Sequence, residues 1–70
     1  MLIFAVWVLF RSGAEHIYKK AATFEWHNGA FLFIGKEIPI TDKWLILLDK
    51  NGNQIKCFDH KDVQDVGYDD

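Results

Sequence analysis

The sequence contains little of the material that usually stabilises a very small protein. Of its 70 residues only Cys57 is a cysteine, so the chain cannot form an internal disulfide. It also has no CxxC pair and no HExxH motif from which to build a zinc site. A domain of this length buries only roughly 60% of the surface that its unfolded chain exposes. By elimination, we expect a partner chain to contribute to its stability.

A strong excess of charge of one sign is also lacking. The net charge of −2 gives no general attraction to nucleic acid or to an anionic membrane. The acidity is concentrated at the end of the chain, since residues 57–70 carry five acids and one base. A lone cysteine is typical of a reducing compartment. We therefore expect one domain, residues 1–70, in the cytoplasm.

The strongest local signal is the pair Asn51-Gly52 between two apolar runs. Asn-Gly accepts the positive φ that both central residues of a type I′ turn require, so the pattern predicts a β-hairpin over residues 43–58. The single proline, Pro39, cannot donate to a β-ladder and indicates an edge strand or a connection. The expected cross-strand pairs are Trp44/Asp59, Leu45/Phe58, Ile46/Cys57, Leu47/Lys56 and Leu48/Ile55.

The first ten residues are apolar throughout. They lack the basic leader and cleavage site of a signal peptide, and they reach only half of the about 20 residues that a membrane-spanning helix needs. Their Ile, Val, Phe and Trp side chains favour a strand. A turn is expected at residues 11–14, with Gly13 supplying the special dihedral angles. Residues 15–20 are expected to return as a second strand, while a helix over residues 14–22 stays open because Ala, Glu and Lys favour it.

A second Asn-Gly pair, Asn28-Gly29, predicts a second hairpin that joins residues 23–27 to residues 30–34. In that register Trp26 faces Phe31 and Phe24 faces Phe33, which would form an aromatic ladder. After the main hairpin, Asp59 or Asp62 is expected to cap one turn of α-helix or 3₁₀ helix. Residues 66–68 then close as a short last strand.

This order of elements predicts an all-β meander of about five antiparallel strands with one helical turn near the C-terminus. It resembles the small SH3-like β-barrels of bacterial and phage proteins. The resemblance rests on Asn28-Gly29, Trp44, Asn51-Gly52, Phe58, Val63 and Val66, within residues 24–68. The proline-binding aromatic signature of SH3 domains is missing, so their peptide recognition is not implied. The wholly apolar first strand also departs from the pattern.

Candidate chemical sites are few. Asp49 and the residues after it have oxygen ligands at alternate positions, but Gln54 and His60 stand where a calcium loop needs Gly and Glu, so a hairpin turn is expected. Cys57 with the histidines could bind a metal, yet its expected register points it into the core. Nothing places a base beside a nucleophile. We therefore expect a protein that is not an enzyme and has no cofactor.

Three stretches, residues 2–10, 30–34 and 44–48, are apolar at every position, whereas a strand in a one-sided sheet alternates. The second apolar face is expected to meet another protein, most simply a second copy of the chain. The residues expected in this oligomer interface are Ile3, Phe4, Val6, Trp7 and Val8.

The acidic end of the chain is expected to steer a basic partner. The residues assigned to this partner-binding surface are Asp62, Asp65, Tyr68, Asp69 and Asp70. Small acidic chains without cofactors are similar to phage-encoded inhibitors of host defence, including anti-CRISPR proteins. The first hypothesis is therefore a protein-binding module that forms a homodimer. The alternatives are a nucleic-acid-binding barrel that uses Lys19 and Lys20 with nearby aromatic residues, and a structural subunit of a larger assembly.

Overall fold

A computed structural model describes residues 5–38 and 43–69 of the chain. About two thirds of these residues lie in β-strands, which confirms the all-β expectation, and they form more strands than the five or so expected. A turn of 3₁₀ helix at His60–Asp62 precedes the final strand. The strands are β1 (Ala5–Phe10), β2 (Glu15–Tyr18), β3 (Thr23–Asn28), β4 (Phe31–Phe33), β5 (Lys36–Ile38), β6 (Lys43–Leu48), β7 (Gln54–Asp59) and β8 (Val63–Asp69).

The strands pair into three antiparallel sheets. The first has the order β2-β1-β8, the second β3-β6-β7, and the third is the hairpin β4-β5. Within residues 5–38 and 43–69 no ladder joins one sheet to another, so the barrel is not closed. The expectations for residues 1–4 and for Pro39 lie outside the described residues.

The β1–β2 and β6–β7 hairpins use the same turn. Gly13 donates its N–H to the Phe10 carbonyl at 2.9 Å, and Gly52 donates to the Asp49 carbonyl at 3.0 Å. Both glycines have positive φ, 97° and 84°, whereas Asn51 does not. Each turn is thus a type I turn followed by a glycine in the left-handed region. The type I′ turn expected at Asn51-Gly52 is wrong, although the special role of Gly52 is confirmed.

The turn at Asn51-Gly52 has one residue more than the expected type I′ turn, but most of the predicted register of the main hairpin is unchanged. Four of the five expected pairs, from Trp44/Asp59 to Leu47/Lys56, are confirmed. The fifth is wrong, because a bulge beside the turn pairs Leu48 with Gln54 and leaves Ile55 as the extra residue.

The hairpin expected at Asn28-Gly29 does not form. Strand β3 pairs with β6 along six residues, from Thr23/Leu48 to Asn28/Lys43, and β4 pairs with β5 instead. Pairing with the long apolar β6 makes more hydrogen bonds and buries more apolar surface than pairing with the three-residue β4 would. The local turn signal is overridden by this long-range ladder.

The remaining local expectations have mixed outcomes. Residues 15–18 are a strand, so the alternative helix over residues 14–22 is wrong. The cap of the 3₁₀ turn is Asp59, whose carboxylate accepts from the Lys61 N–H at 2.9 Å. The last strand is longer than expected, since it begins at Val63.

The core lies between the first two sheets. Val6 and Val8 on β1 point toward Leu45 and Leu47 on β6, and all four side chains are fully buried. Aromatic rings bridge the two sheets on either side. Phe58 contacts Phe10 and Tyr18 with ring centroids 5.2 and 5.8 Å apart, and Phe24 lies 4.9 Å from Tyr68.

Strand β6 is covered on its second face as well. The β4–β5 hairpin lies there, with the Phe31 ring 4.9 Å from His27 and 6.3 Å from Trp44. The Gln54 side chain fixes the hairpin, since its Oε1 accepts from the Ile34 N–H at 2.7 Å and its Nε2 donates to the Leu32 carbonyl at 2.8 Å. The continuous apolar run of β6 is therefore explained by burial inside one chain.

Gly67 on β8 makes room for a neighbouring ring. It pairs with Trp7 of β1, and a Cβ atom added at Gly67 would come within 2.5 Å of the Trp7 ring. Because a β-carbon does not fit at that distance, the close contact of this ring with the backbone requires glycine.

We expect Gly52→Val to lower the free energy of unfolding by roughly 1 to 3 kcal/mol, because a β-branched residue is strained at positive φ. An added Cβ meets nothing within 4 Å in the described part of the chain, so the expected loss of stability comes from backbone strain and not from a steric clash. The matched control is Gly52→Asn, which tolerates this region and should lose much less. Chemical denaturation measures the free energy of unfolding of both variants. Equal losses of stability would contradict the positive φ assigned to residue 52.

Gly67→Ala should destabilise by about 1 to 3 kcal/mol through overpacking against Trp7. The double-mutant cycle with Trp7→Leu isolates this contact, because in that background the alanine has space and should cost little. A Gly67→Ala loss of the same size in both backgrounds, measured by thermal unfolding, would show that the Trp7 ring is not the cause.

Candidate functional site

The tip of the β4–β5 hairpin exposes two large apolar side chains. Leu32 is 63% and Ile34 is 64% exposed, which makes them the most exposed of the large apolar residues described. Ile34 and Gly35 both have positive φ, 50° and 78°, as a two-residue type I′ turn requires. Asn-Gly is the preferred pair for such a turn, whereas a β-branched residue there is strained. This tip therefore combines exposed apolar surface with backbone strain.

The strained tip is held firmly. The two Gln54 hydrogen bonds anchor the backbone of Leu32 and Ile34 to β7, and Phe31 anchors the base of the hairpin on β6. A rigid backbone can present Leu32 and Ile34 to another surface at low entropic cost. The sequence predicts a turn at residues 35–37 from Gly35, but no pattern indicates that the β-branched Ile34 shares the turn, so the exposed tip was not predicted.

The acidic residues assigned to a partner surface do not lie together with Tyr68. Asp65 and Asp69 are exposed on the outer face of β8, while Tyr68, between them in sequence, points to the opposite face. The Tyr68 hydroxyl is 2.8 Å from Thr23 Oγ1, so the residue joins β8 to β3 although 49% of it is exposed. Asp62 is exposed in the 3₁₀ turn, and Asp70 lies outside the described residues.

The residues assigned to an oligomer interface do not share one surface either. Val6 and Val8 are fully buried in the core of the single chain, so their side chains offer no surface to a second copy. Trp7 is half-buried on the outer face of β1, beside Ile17 of β2, which is 50% exposed. Ile3 and Phe4 lie outside the described residues.

The residues considered for metal or nucleophilic chemistry do not gather at one site. Cys57 pairs with Ile46, and burial, followed by the charge of Asp59, raises the pKa of its thiol. A raised pKa keeps the thiol protonated at neutral pH and lowers its reactivity. Within residues 5–38 and 43–69, no three His, Cys, Asp or Glu side chains are grouped as metal ligands would be.

The loop considered for calcium is a hydrogen-bonded turn. The Asp49 Oδ1 accepts from the N–H groups of Asn51 and Asn53, each at 2.9 Å. These bonds, led by the one from Asn53, lower the pKa of the Asp49 carboxyl. The hairpin interpretation is confirmed.

Four lysines lie along a groove between the edges of the first two sheets. Two adjoining cavities of about 440 Å³ each share Lys19 and Lys20 in their walls, and Lys50 and Lys56 complete the set. We call this feature the lysine groove and define it by the four lysines with Ile17 and Ile55. The aromatic residues proposed to act with Lys19 and Lys20 are elsewhere: Phe24 packs on Tyr68, and the Trp26 ring lies 5.3 Å from Lys43 Nζ.

No helix in the described part of the chain is long and apolar enough to cross a membrane. Comparison of the chain with protein-family models, with curated proteins and with solved structures found no match.

Proposed function

We propose that this protein is a small non-catalytic module that binds another protein through the tip of its β4–β5 hairpin. The observation that supports the proposal most strongly is Ile34, which is 64% exposed while its backbone has a φ of 50°. A polar residue or glycine would serve the turn better in water. An apolar side chain at such a site gains its advantage when a partner buries it.

The arrangement around the tip suits binding. Leu32 and Ile34 stand two residues apart with their backbone anchored by Gln54, so both can enter an apolar depression on a partner without further ordering. The raised pKa of Cys57 and the scattered histidines agree with a role that does not involve catalysis.

The finer assignment is part of the same proposal. The 3₁₀ turn directly before the final strand supports a place among small SH3-like barrels. Within that class, we propose an inhibitor of a host defence system, of the phage-encoded or anti-CRISPR kind, acting in the host cytoplasm. The half-buried Trp7 with Ile17 and Leu9 on the outer face of the first sheet supports association into a homodimer.

The variant Ile34→Asn separates stability from binding. Asn tolerates the left-handed region, so the variant should be more stable than wild type by about 1 kcal/mol while losing the apolar contact. Thermal unfolding measures the first effect. Affinity purification from the native host, with wild type and variant as baits, identifies the partner that the wild type retains, and titration with that purified partner measures the second.

The matched control for this experiment is Trp26→Gln, which removes a partly exposed apolar side chain on β3, outside the β4–β5 hairpin. It should leave partner affinity unchanged and should not raise the melting temperature. If Ile34→Asn and Leu32→Ser both bound the purified partner as tightly as wild type, the hairpin tip would have no role in recognition.

Self-association is tested by sedimentation velocity at micromolar concentration, where we expect a dimer of the 8.2 kDa chain. Leu9 faces outward between Glu15 and Asp65, so Leu9→Lys should be tolerated in the fold and should give a monomer. Leu32→Lys places the same charge on the hairpin and should leave the dimer intact. A monomeric wild type would refute the homodimer.

A further inference from the structure

The lysine groove lies between two unpaired sheet edges. Strand β2 is an edge of the first sheet and β7 is an edge of the second. On the opposite side of the molecule, Tyr68 joins β8 to β3 through its hydrogen bond with Thr23 and its contact with Phe24. On the groove side the Tyr18 and Phe58 rings contact each other, but the edge strands β2 and β7 are not paired by hydrogen bonds.

The backbone of β2 has free hydrogen-bonding groups at this groove. The Phe10 N–H donates to the Ala14 carbonyl at 2.8 Å, which fixes which residues of β2 bond to β1. By the alternation of an antiparallel ladder, His16 and Tyr18 bond to β1, and the N–H and C=O groups of Glu15 and Ile17 point away from it. An exposed edge of this kind is a template for another strand.

The charge of the groove selects the chemistry of its occupant. In the described part of the chain, Lys19, Lys20, Lys50 and Lys56 form no ion pair with a carboxylate. Asp49, which lines the first of the two cavities, accepts hydrogen bonds with its carboxylate from the backbone of its own turn. Ile17 and Ile55 add apolar surface beside these charges.

We propose that the lysine groove binds an acidic peptide segment in extended conformation, which adds to the free edge of β2 as a new strand. The peptide main chain pairs with Glu15 and Ile17, and its carboxylates meet the four lysines. This surface shares no residue with the hairpin tip, so separate variants test the two binding functions.

A peptide fits these observations better than a nucleic acid. Single-stranded nucleic acid is held by free aromatic platforms, and Tyr18, the aromatic residue in the groove wall, already contacts the rings of His16 and Phe58 at 6.0 and 5.8 Å. Unpaired N–H and C=O groups on an edge strand recognise a peptide main chain and not a sugar-phosphate one.

Fluorescence anisotropy with three labelled probes tests the proposal on the full chain. The first probe is an octapeptide of alternating Glu and Val, which is acidic and favours a strand. The second alternates Glu and Pro, which keeps the carboxylates but lacks half of the N–H groups. The third is an eight-nucleotide oligothymidylate. We expect the Glu-Val probe to bind, and the Glu-Pro probe to bind about tenfold more weakly or not at all.

The paired substitution Lys20→Gln with Lys56→Gln should weaken the Glu-Val probe by roughly tenfold, because two charge-assisted contacts are lost. The control pair Arg11→Gln with Lys36→Gln removes the same charge outside the groove and should change affinity less than about twofold.

Several results would overturn the proposal. Equal binding of the Glu-Val and Glu-Pro probes would show that charge acts without strand addition. Tighter binding of the oligothymidylate, lost in the Lys20/Lys56 variant, would assign the groove to nucleic acid. A wild-type dimer that dissociates on the same substitution would assign it to a second copy of this chain. No binding of the Glu-Val probe at millimolar concentration would remove the site altogether.

Discussion

The burial of β6 on both faces is the constraint on which the rest of the structure depends. One face carries Leu45 and Leu47 into the core between the two larger sheets, and the other carries Trp44 and Ile46 under the β4–β5 hairpin. A chain of this length gains most of its stability from such area, since it has no internal disulfide. The hairpin therefore acts as a third layer. Because it packs on the outer face of β6, its tip is exposed to solvent.

The features that depend on neighbouring residues, such as the strands and the main hairpin, were predicted well from the sequence. The register from Trp44 to Leu47 follows from the apolar pattern and the turn position, and it was predicted correctly although the expected type I′ turn is wrong. The partner of β3 could not be predicted in this way, because Asn28-Gly29 is a strong local signal and the competing ladder joins two strands that the β4–β5 hairpin separates along the chain. The type I′ turn lies instead at Ile34-Gly35, where intrinsic preferences oppose it.

The candidate sites were harder to predict than the fold. The continuous apolar runs were interpreted as an exposed interface, whereas Ile46, Val6 and Val8 are buried by other parts of the same chain. The lysine groove combines Lys19 and Lys20, which follow β2, with Lys50 and Lys56 from the β6–β7 hairpin. Nothing in the spacing of these lysines along the chain indicates that the packing of two sheets brings them to one groove.

The most direct test of this account is the set of cross-strand nuclear Overhauser effects of β3 in solution. The account predicts backbone contacts between Trp26 and Leu45, together with contacts between the ring protons of Phe31 and Trp44 across the covered face of β6. Backbone contacts between Trp26 and Phe31 would contradict it, because they would place β3 and β4 in the local Asn28-Gly29 hairpin and leave β6 with one face uncovered.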